Sequence, residues 1–203
     1  RVLFRSQLNI HHDSLVTRRI LASAGKGSVL NIATGYFNLT QTYMDTLVNE
    51  CEAECSIVMA HPNANGFKGS KGPAGGIPDA YTLIARKFYE QMQKTNQDDR
   101  ISLLEYERNN WTYHAKGLWY HQSSDKSLPC MTVIGSSNYG ERSVNRDLES
   151  QVCLVTTNRA LQTSLKAEYD HLLQYASTAE SQLVSRLVPN WVKTVVFLFK
   201  KFF

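Results

Sequence analysis

The sequence predicts an α/β fold in which helices cover both faces of a mixed β-sheet. Short stretches rich in Val, Ile and Leu alternate along the chain with longer stretches whose apolar residues recur at helical spacing. Alternation of this kind is typical of a sheet that is packed between helices. At 203 residues, with 42% apolar and 20% charged residues, the chain is long enough for one well-cored domain.

The first half of the chain contains three predicted helices and three predicted strands. The helices begin at favourable residues, which are the cap residues Asp13 and Thr40 and the first-turn residue Pro78. The predicted helices span residues 13–24, 40–51 and 78–94. The predicted strands span residues 28–37, 55–60 and 100–106.

The second half continues this pattern and ends in a tail of different composition. Strands are predicted at 113–120, 131–134 and 148–156, and a helix is predicted at 158–175. We divide the chain into a lobe, residues 1–176, and a basic and aromatic helical tail, residues 177–203. The tail is too short to span a bilayer. Two interpretations of it stay open, a helix that lies on an anionic membrane surface and a C-terminal helix packed on the core.

Composition narrows the function classes. No run of 18 or more apolar residues occurs, so no transmembrane helix is expected. The net charge of +4 suits a surface that meets an anionic phospholipid or a nucleotide, and it does not demand nucleic acid. The four cysteines form no metal-ligand or disulfide pattern, so we expect free thiols. The chain begins at Arg1 without a signal-like segment, which suggests that its targeting sequence lies elsewhere.

An imidazole, an ammonium, a hydroxyl, an amide and a carboxylate are concentrated between positions 114 and 149. His114 and Lys116 are two apart in a predicted strand, so their side chains should project to the same face. The next predicted strand ends in a turn that carries Ser136 and Asn138, and Glu149 follows eleven residues after the Asn. A phosphoryl centre needs a nucleophile or acid, a fixed cation and neutral donors around the phosphate oxygens. The pattern therefore predicts phosphoryl chemistry at this place.

The combined pattern resembles the HKD signature of the phospholipase D superfamily. It consists of the His-x-Lys pair, the Gly-Ser-x-Asn turn and the later Arg-Ser and Glu. One position departs from the signature, because the superfamily usually has Asp five residues after the Lys and His121 stands there. That Asp is generally structural in the superfamily, so we expect its loss to leave the chemistry intact. The resemblance implies a phospholipase D-like lobe, a reaction that uses two histidines from separate HKD motifs, and no cofactor or metal ion.

Four segments narrow the resemblance to the C-terminal half of the eukaryotic phosphatidylglycerophosphate synthase family. They include a Gly-Tyr-Phe-Asn strand end, a glycine-lysine loop at 65–72 and the HKD stretch at 111–119. Members of that family are mitochondrial and transfer a phosphatidyl group from CDP-diacylglycerol to glycerol 3-phosphate. The resemblance implies these two substrates, a membrane surface and an N-terminal lobe with a second HKD motif as partners, and no nucleic acid. It also implies a location peripheral to the mitochondrial inner membrane.

The resemblance assigns roles to individual residues. His114 is either the nucleophile that attacks phosphorus or the acid that protonates the departing CMP, and the usual N-terminal place of the nucleophile favours the acid. Lys116 and Asn138 would hold non-bridging phosphate oxygens, and Ser136 is a further donor. Glu149 would hydrogen-bond a catalytic imidazole, which is that of His114 or that of the partner histidine.

A glycine-rich loop between residues 62 and 78 carries Lys68 and Lys71. Glycine lets the backbone approach a ligand closely, and successive N–H groups can bind an anion. One interpretation is a loop that holds the nucleotide pyrophosphate or the glycerol phosphate, with Lys71 as the better candidate. The other is a surface loop without a ligand. The aromatic residues near strand ends that should border the site or pack in the core are Tyr36, Phe37 and Trp111.

Two other functions stay open. A phospholipase D-type hydrolase or nuclease uses the same centre with water as the acceptor, and the glycine-lysine loop and the missing Asp favour the synthase. A lobe without catalysis could be a scaffold or a membrane-binding module, and the presence of all four motif residues favours an enzyme. The chain contains one HKD-type His-x-Lys pair. We therefore expect it to be inactive as a monomer, and to act as half of a two-lobed enzyme or in a homodimer.

Overall fold

A seven-stranded β-sheet runs through the middle of the molecule, and helices lie on both of its faces. The computed structural model describes residues 11–199. The strands are β1 Val29–Thr34, β2 Glu54–Ala60, β3 Ile101–Tyr106, β4 Gly117–His121, β5 Met131–Gly135, β6 Gln151–Val155 and β7 Ala176–Thr178. The helices are α1 His12–Ser23, α2 Gln41–Asn49, α3 Ile77–Lys94, α4 Glu141–Asn145, α5 Arg159–Leu173, α6 Glu180–Ser185 and α7 Asn190–Phe199. Two short 3-10 turns, Pro62–Ala64 and Gly72–Gly76, lie between β2 and α3.

The sheet is mixed and has the strand order β6-β5-β4-β1-β2-β3-β7. β1, β2 and β3 are parallel neighbours, and the helices α2 and α3 lie in the connections between them. β4, β5 and β6 extend one side of the sheet as antiparallel neighbours, and β7 pairs antiparallel with β3 on the other side. The predicted fold class, a mixed sheet with helices on both faces, is confirmed.

Alternate residues of the central strands supply two hydrophobic layers. Leu30 and Ile32 of β1 belong to the layer that contains α1, α2, α3, α6 and α7, and Ala33 belongs to the layer that contains α5. In the second layer, the ring centroids of Trp119 on β4 and Tyr169 on α5 lie 5.1 Å apart. Both faces of the sheet are therefore covered, which explains why its central strands are almost continuously apolar.

The strand predicted at 113–120 is too long. β4 begins only after Lys116, so His114 lies in the connection that leads into the strand. The reason is local, because the backbone N–H of Tyr113 donates a hydrogen bond of 2.8 Å to the carbonyl oxygen of Ala64. This bond ties the segment to the loop after β2 instead of to a neighbouring strand. The argument that strand geometry aligns the His and Lys side chains is therefore wrong.

The chain after residue 176 packs on the rest of the molecule. Leu183 of α6 and Val192 and Val196 of α7 are buried in the first hydrophobic layer. Arg186 donates two hydrogen bonds of 2.8 Å to the buried carboxylate of Glu105 on β3. The structure thus shows a C-terminal helix packed on the core, and residues 200–203 of the predicted tail lie outside the described residues. β7, which was not predicted, adds to this attachment.

Three observations concern the expectations drawn from composition. No helix between residues 11 and 199 is long and apolar enough to cross a bilayer. Cys51 and Cys55 are buried with their Sγ atoms 3.6 Å apart, and both are free thiols, as the sequence predicted. Within the same range, no group of three or more His, Cys, Asp or Glu side chains is placed to hold a metal ion.

Candidate active site

Four connections meet at one edge of the sheet. β1 ends beside the start of β4, since Ala33 pairs with Gly117, and β5 ends beside the start of β6, since Gly135 pairs with Gln151. Antiparallel pairing therefore brings the segments before β4 and β6 next to the segments after β1 and β5. The motif residues that lie in these segments are His114, Lys116, Ser136, Asn138 and Glu149.

His114 and Lys116 are in direct contact although neither lies on a strand. Nζ of Lys116 lies 3.1 Å from Nε2 and 3.3 Å from Nδ1 of the imidazole, and it donates a hydrogen bond of 3.2 Å to the His114 carbonyl oxygen. Partial burial, and after it the nearby ammonium, lower the pKa of His114 below its ordinary value. Burial lowers the pKa of Lys116 as well, and the charge of Glu149 opposes that shift. At neutral pH the site therefore favours an uncharged imidazole.

The approach of His114 and Asn138 to one point depends on Gly35, the first residue after β1. A Cβ atom at Gly35 would lie 2.8 Å from Cδ2 of His114, 3.2 Å from its Cα and 3.4 Å from Oδ1 of Asn138. A larger residue would therefore displace the imidazole. The hydroxyl of Thr34 donates a hydrogen bond of 3.1 Å to the carbonyl oxygen of Asn138, which ties the end of β1 to the Asn138 turn.

The side chain of Asn138 has an unused polar atom. Its Oδ1 is buried and has no hydrogen-bond partner among the described residues, while its backbone N–H donates to Oγ of Ser143 at 3.2 Å. Buried polar atoms without a partner are rare in folded proteins. Rotation of the amide exchanges Oδ1 with Nδ2, so this position can present either an acceptor or a donor. It is a place where a bound group would complete the hydrogen bonding.

Glu149 accepts a short hydrogen bond from the hydroxyl of Ser136. Within residues 11–199, no hydrogen bond joins it to His114, so the expected contact with that imidazole is not formed in this lobe. The boundary predicted for its strand is also wrong, because β6 begins only after Ser150. Ser150 instead forms two hydrogen bonds with Ser136. The N–H of Ser136 donates to the carbonyl oxygen of Ser150 at 3.2 Å, and the N–H of Ser150 donates to Oγ of Ser136 at 3.3 Å.

The three aromatic residues have different surroundings. The ring of Tyr36 lies 5.2 Å from the ring of His114, and burial raises the pKa of its phenol. Phe37 is buried in the core, where its ring lies 5.5 Å from that of Phe88. Trp111 is 56% exposed and lines a polar cavity beside the motif segment. Only Tyr36 is therefore a direct neighbour of the imidazole.

His121, which stands where the superfamily has Asp, occupies a structural position at the far end of β4. Its Nδ1 lies 2.9 Å from the carbonyl oxygen of Lys126, and its Nε2 lies 3.3 Å from Nδ2 of Asn31. Burial lowers the pKa of His121. The substituted position therefore holds the start of the β4–β5 connection, and it takes no part in the edge that carries His114.

The two lysines of the glycine-rich loop are placed differently. Lys68 lines the polar cavity together with Trp111 and Thr112, which precede His114 in the chain. Lys71 is exposed and directly precedes the second 3-10 turn, and its ammonium makes no hydrogen bond or ion pair with a described residue. The structure thus brings Lys68 next to the motif segment, although the sequence favoured Lys71.

Two residues that shape this edge, Gly35 and Thr34, were not named as site residues from the sequence. Their signal was a glycine inside the strand predicted at 28–37, a place where another backbone or a ligand often approaches closely. The observed strand β1 ends earlier, at Thr34. The residues that approach, His114 and Asn138, are far away in the chain. Only the pairing of β1 with β4 reveals the contact.

The fold is that of a phospholipase D-like lobe. The fold is similar to that of phosphatidylserine synthase from Haemophilus influenzae, which is 19% identical with a TM-score of 0.72 over 94% of this chain and 43% of that chain. It is also similar to Nuc from Salmonella typhimurium, a phospholipase D family member that is 14% identical with a TM-score of 0.51 over 81% of this chain and 89% of that chain. No established family profile matches the chain.

In sequence, the chain is homologous to part of the CDP-diacylglycerol–glycerol-3-phosphate 3-phosphatidyltransferases. The mitochondrial protein of Bos taurus is 49% identical over 197 residues, which are 96% of this chain and 35% of that protein. The Homo sapiens protein is 48% identical over the same shares, and the probable enzyme of Dictyostelium discoideum is 40% identical over 94% of this chain and 33% of its own length. The chain spans about a third of the length of these curated relatives. The resemblance inferred from the motifs is confirmed.

Proposed function

We propose that the chain is a catalytic lobe of an enzyme that transfers a phosphatidyl group from CDP-diacylglycerol to glycerol 3-phosphate. The products are phosphatidylglycerophosphate and CMP, which places the reaction in phosphatidylglycerol and cardiolipin biosynthesis. The observation that carries the proposal is the 49% identity over 197 residues to a mitochondrial phosphatidyltransferase. The approach of His114 and Asn138 to Gly35, with Lys116 against the imidazole, supports it because these groups suit a phosphoryl centre.

The proposed reaction consists of two displacements at one phosphorus atom. In the first, an imidazole nitrogen attacks the phosphatidyl phosphorus, the bond from phosphorus to the CMP oxygen breaks, and a second histidine gives CMP its proton. In the second, a hydroxyl of glycerol 3-phosphate attacks the phosphatidyl-histidine, and the phosphorus–nitrogen bond breaks. The second histidine takes the hydroxyl proton and returns to its starting state.

His114 can fill either of the two histidine roles. Its lowered pKa favours the neutral imidazole, which is the form that a nucleophile needs. The superfamily resemblance favours the acid, and an anionic phosphate beside the ring would raise the pKa toward that form. The other five histidines lack a lysine two positions later, so we assign the second histidine to another lobe. That lobe is an N-terminal part of the same protein or a second copy of this chain.

We assign roles to the remaining motif residues, and their contacts support these roles. Lys116 and Asn138 would hold the non-bridging oxygens of the reacting phosphate, where negative charge builds in the transition state. Ser136 would be a further donor once its hydroxyl proton, which it donates to Glu149 in this structure, turns to the phosphate. Glu149 accepts a hydrogen bond from the Ser136 hydroxyl, and its charge favours the protonated form of Lys116, so within this lobe it would orient Ser136 and support the cation. A hydrogen bond to the histidine of the second lobe is the other role open to Glu149.

We also propose that the lobe works at the surface of the mitochondrial inner membrane, where a lipid substrate would lie. The relatives from Bos taurus and Homo sapiens are named as mitochondrial. The segment from α6 to α7 also carries apolar side chains that are between 61% and 93% exposed, which are Val184, Leu187, Phe197 and Leu198. Apolar side chains beside a basic residue, here Lys193, suit attachment to anionic lipid.

The test uses the full-length protein with labelled glycerol 3-phosphate and CDP-diacylglycerol. We expect His114→Ala to lower the rate of phosphatidylglycerophosphate formation at least roughly 10²- to 10⁴-fold, because the reaction loses its nucleophile or its acid. His171→Ala, on the exposed side of α5, is the matched control and should keep the wild-type rate.

Three outcomes would contradict the proposal. Activity of His114→Ala within a few-fold of wild type would remove His114 from the mechanism. Release of phosphatidic acid without transfer to glycerol 3-phosphate would show a hydrolase that uses water as the acceptor. Absence of both reactions in a folded full-length protein would favour a lobe without catalysis.

A further inference from the structure

A polar cavity of about 450 Å³ lies beside the segment that leads to His114. One wall is the loop after β2, and the other is the connection between β3 and β4. The side chains that line it are amides, hydroxyls and charged groups, with one indole. The lining residues used below are Asn63, Lys68, Glu107, Arg108, Asn110 and Trp111.

Arg108 is held in the cavity wall by two aromatic rings. Its guanidinium carbon lies 4.1 Å from the ring centroid of Trp111 and 4.5 Å from that of Tyr175. A turn brings Trp111 back to Arg108, since its N–H donates a hydrogen bond of 3.0 Å to the Arg108 carbonyl oxygen. Asn110, inside the turn, has a φ of 61°, a left-handed conformation that Asn tolerates better than most residues. The rings thus fix a cation whose N–H donors form no ion pair with a described carboxylate.

The carboxylate in the cavity wall is already occupied by other groups. Glu107 accepts a hydrogen bond of 2.7 Å from Nδ2 of Asn63, and its other oxygen lies 3.3 Å from Nδ1 of His61. Lys68 is exposed, and its ammonium makes no ion pair within the part of the chain that the structure describes. Two cations without a carboxylate partner, Lys68 and Arg108, therefore line the same cavity.

The cavity is connected to the site by direct contacts. The hydrogen bond from Tyr113 to Ala64 ties its two walls together one residue before His114. A Cβ atom at Gly66 would lie 3.4 Å from the Tyr36 hydroxyl and 3.6 Å from Cγ2 of Thr112, so Tyr36 borders both places. Its ring is 5.2 Å from that of His114. A small ligand in the cavity would therefore lie one side chain away from the imidazole.

We propose that this cavity binds the phosphate of the acceptor substrate, with Arg108 and Lys68 as its cations and the asparagine amides around its hydroxyl groups. This inference rests on the proposed function. An acceptor such as glycerol 3-phosphate carries a phosphate that does not react, separated by its carbon chain from the attacking hydroxyl. It needs an anion site near the reacting phosphorus but separate from it. A guanidinium fork held between rings matches phosphate, because it presents parallel N–H donors with little further loss of freedom.

The kinetic test compares Arg108→Gln and Lys68→Gln with the wild-type full-length protein, with each substrate varied in turn. We expect KM for glycerol 3-phosphate to rise roughly 10- to 100-fold, because each variant removes charge-assisted hydrogen bonds. KM for CDP-diacylglycerol should stay close to the wild-type value. Arg19→Gln, which removes an exposed guanidinium from α1, is the matched control and should change neither constant. A rise in KM for CDP-diacylglycerol alone would overturn the inference and assign the cavity to the nucleotide.

Calorimetry separates this inference from the proposed function. Glycerol 3-phosphate is titrated into the full-length protein without CDP-diacylglycerol, with circular dichroism to verify that each variant is folded. We expect binding that Arg108→Gln weakens roughly 10- to 100-fold and that CMP does not displace. If the wild-type protein binds glycerol 3-phosphate in this way but catalyses no phosphatidyl transfer, the proposed function is refuted and the cavity assignment still holds. Equal binding by wild type and folded variants, or displacement by CMP, would overturn the cavity assignment whatever the activity.

Discussion

At the scale of single residues, the environment of His114 determines which protonation state the site presents. The imidazole is partly buried and faces the ammonium of Lys116 at 3.1 Å. Both effects disfavour the protonated ring, so its pKa lies below the ordinary value of 6.5. The folded chain therefore binds this proton less tightly than the unfolded chain does. As the pH falls below about 6.5, protonation of His114 lowers the free energy of unfolding.

This environment leads to a prediction about Lys116. In Lys116→Met, the pKa of His114 should rise toward 6.5 but should not reach it, because burial is the larger of the two causes and stays in place. Proton NMR titration of the imidazole signals in wild type and variant measures both values. A variant pKa equal to or below that of wild type would contradict the contact between the two side chains.

At the scale of elements, the last two helices determine how firmly the tail is attached. α6 and α7 pack on α3, and the guanidinium of Arg86 on α3 donates hydrogen bonds of 2.6 Å to the Leu183 carbonyl oxygen and 2.5 Å to that of Arg186. Leu183 is fully buried, whereas its neighbour Val184 is 61% exposed. One face of these helices is therefore part of the core, and the opposite face is exposed.

The pair of neighbours allows a stability test. Leu183→Ala should lower the free energy of unfolding by about 2–5 kcal/mol, because it leaves a cavity in the first hydrophobic layer. Val184→Ala should change it by less than about 0.5 kcal/mol, because this side chain is mostly in water. Urea unfolding followed by circular dichroism measures both. Equal effects of the two substitutions would show that the tail is not packed as the structure has it.

At the scale of the whole molecule, the site contains one of the two histidines that the proposed mechanism requires. His114, Lys116 and Asn138 lie at a sheet edge, and the chain spans about a third of the length of its curated relatives. The proposed mechanism needs a second imidazole to move the proton of the leaving group and of the acceptor. A lobe that supplies one histidine is therefore incomplete for this chemistry.

It follows that the 203-residue chain should catalyse no phosphatidyl transfer as a monomer, whereas the full-length protein should. The measurement is the incorporation of labelled glycerol 3-phosphate into phosphatidylglycerophosphate by the 203-residue chain. Light scattering on the same sample determines the molar mass, and so shows whether the chain is a monomer or a dimer. Turnover by a demonstrated monomer would contradict the requirement for two lobes. Turnover that appears only with a dimer would assign the second histidine to another copy of the chain.

The sequence by itself determined the order of the longer helices and strands as far as α5 and the chemical character of the site, but not the short elements α4 and β7. Alternating apolar stretches, the cap at Thr40 and the HKD spacing are local patterns, and the structure contains the corresponding sheet, the capped α2 and a single edge with the motif residues. These features could be predicted because strand and helix periodicity depend on residues that are close in the chain.

The tertiary structure decided which distant residues meet. The approach of His114 to Gly35, the bond of Glu149 to Ser136 and the place of Lys68 beside the motif segment all depend on which segments the sheet brings together. The early end of the motif strand has the same origin, since a hydrogen bond to the loop after β2 replaces a strand partner. Such contacts are set by strand order and loop packing, and local periodicity contains no information about either.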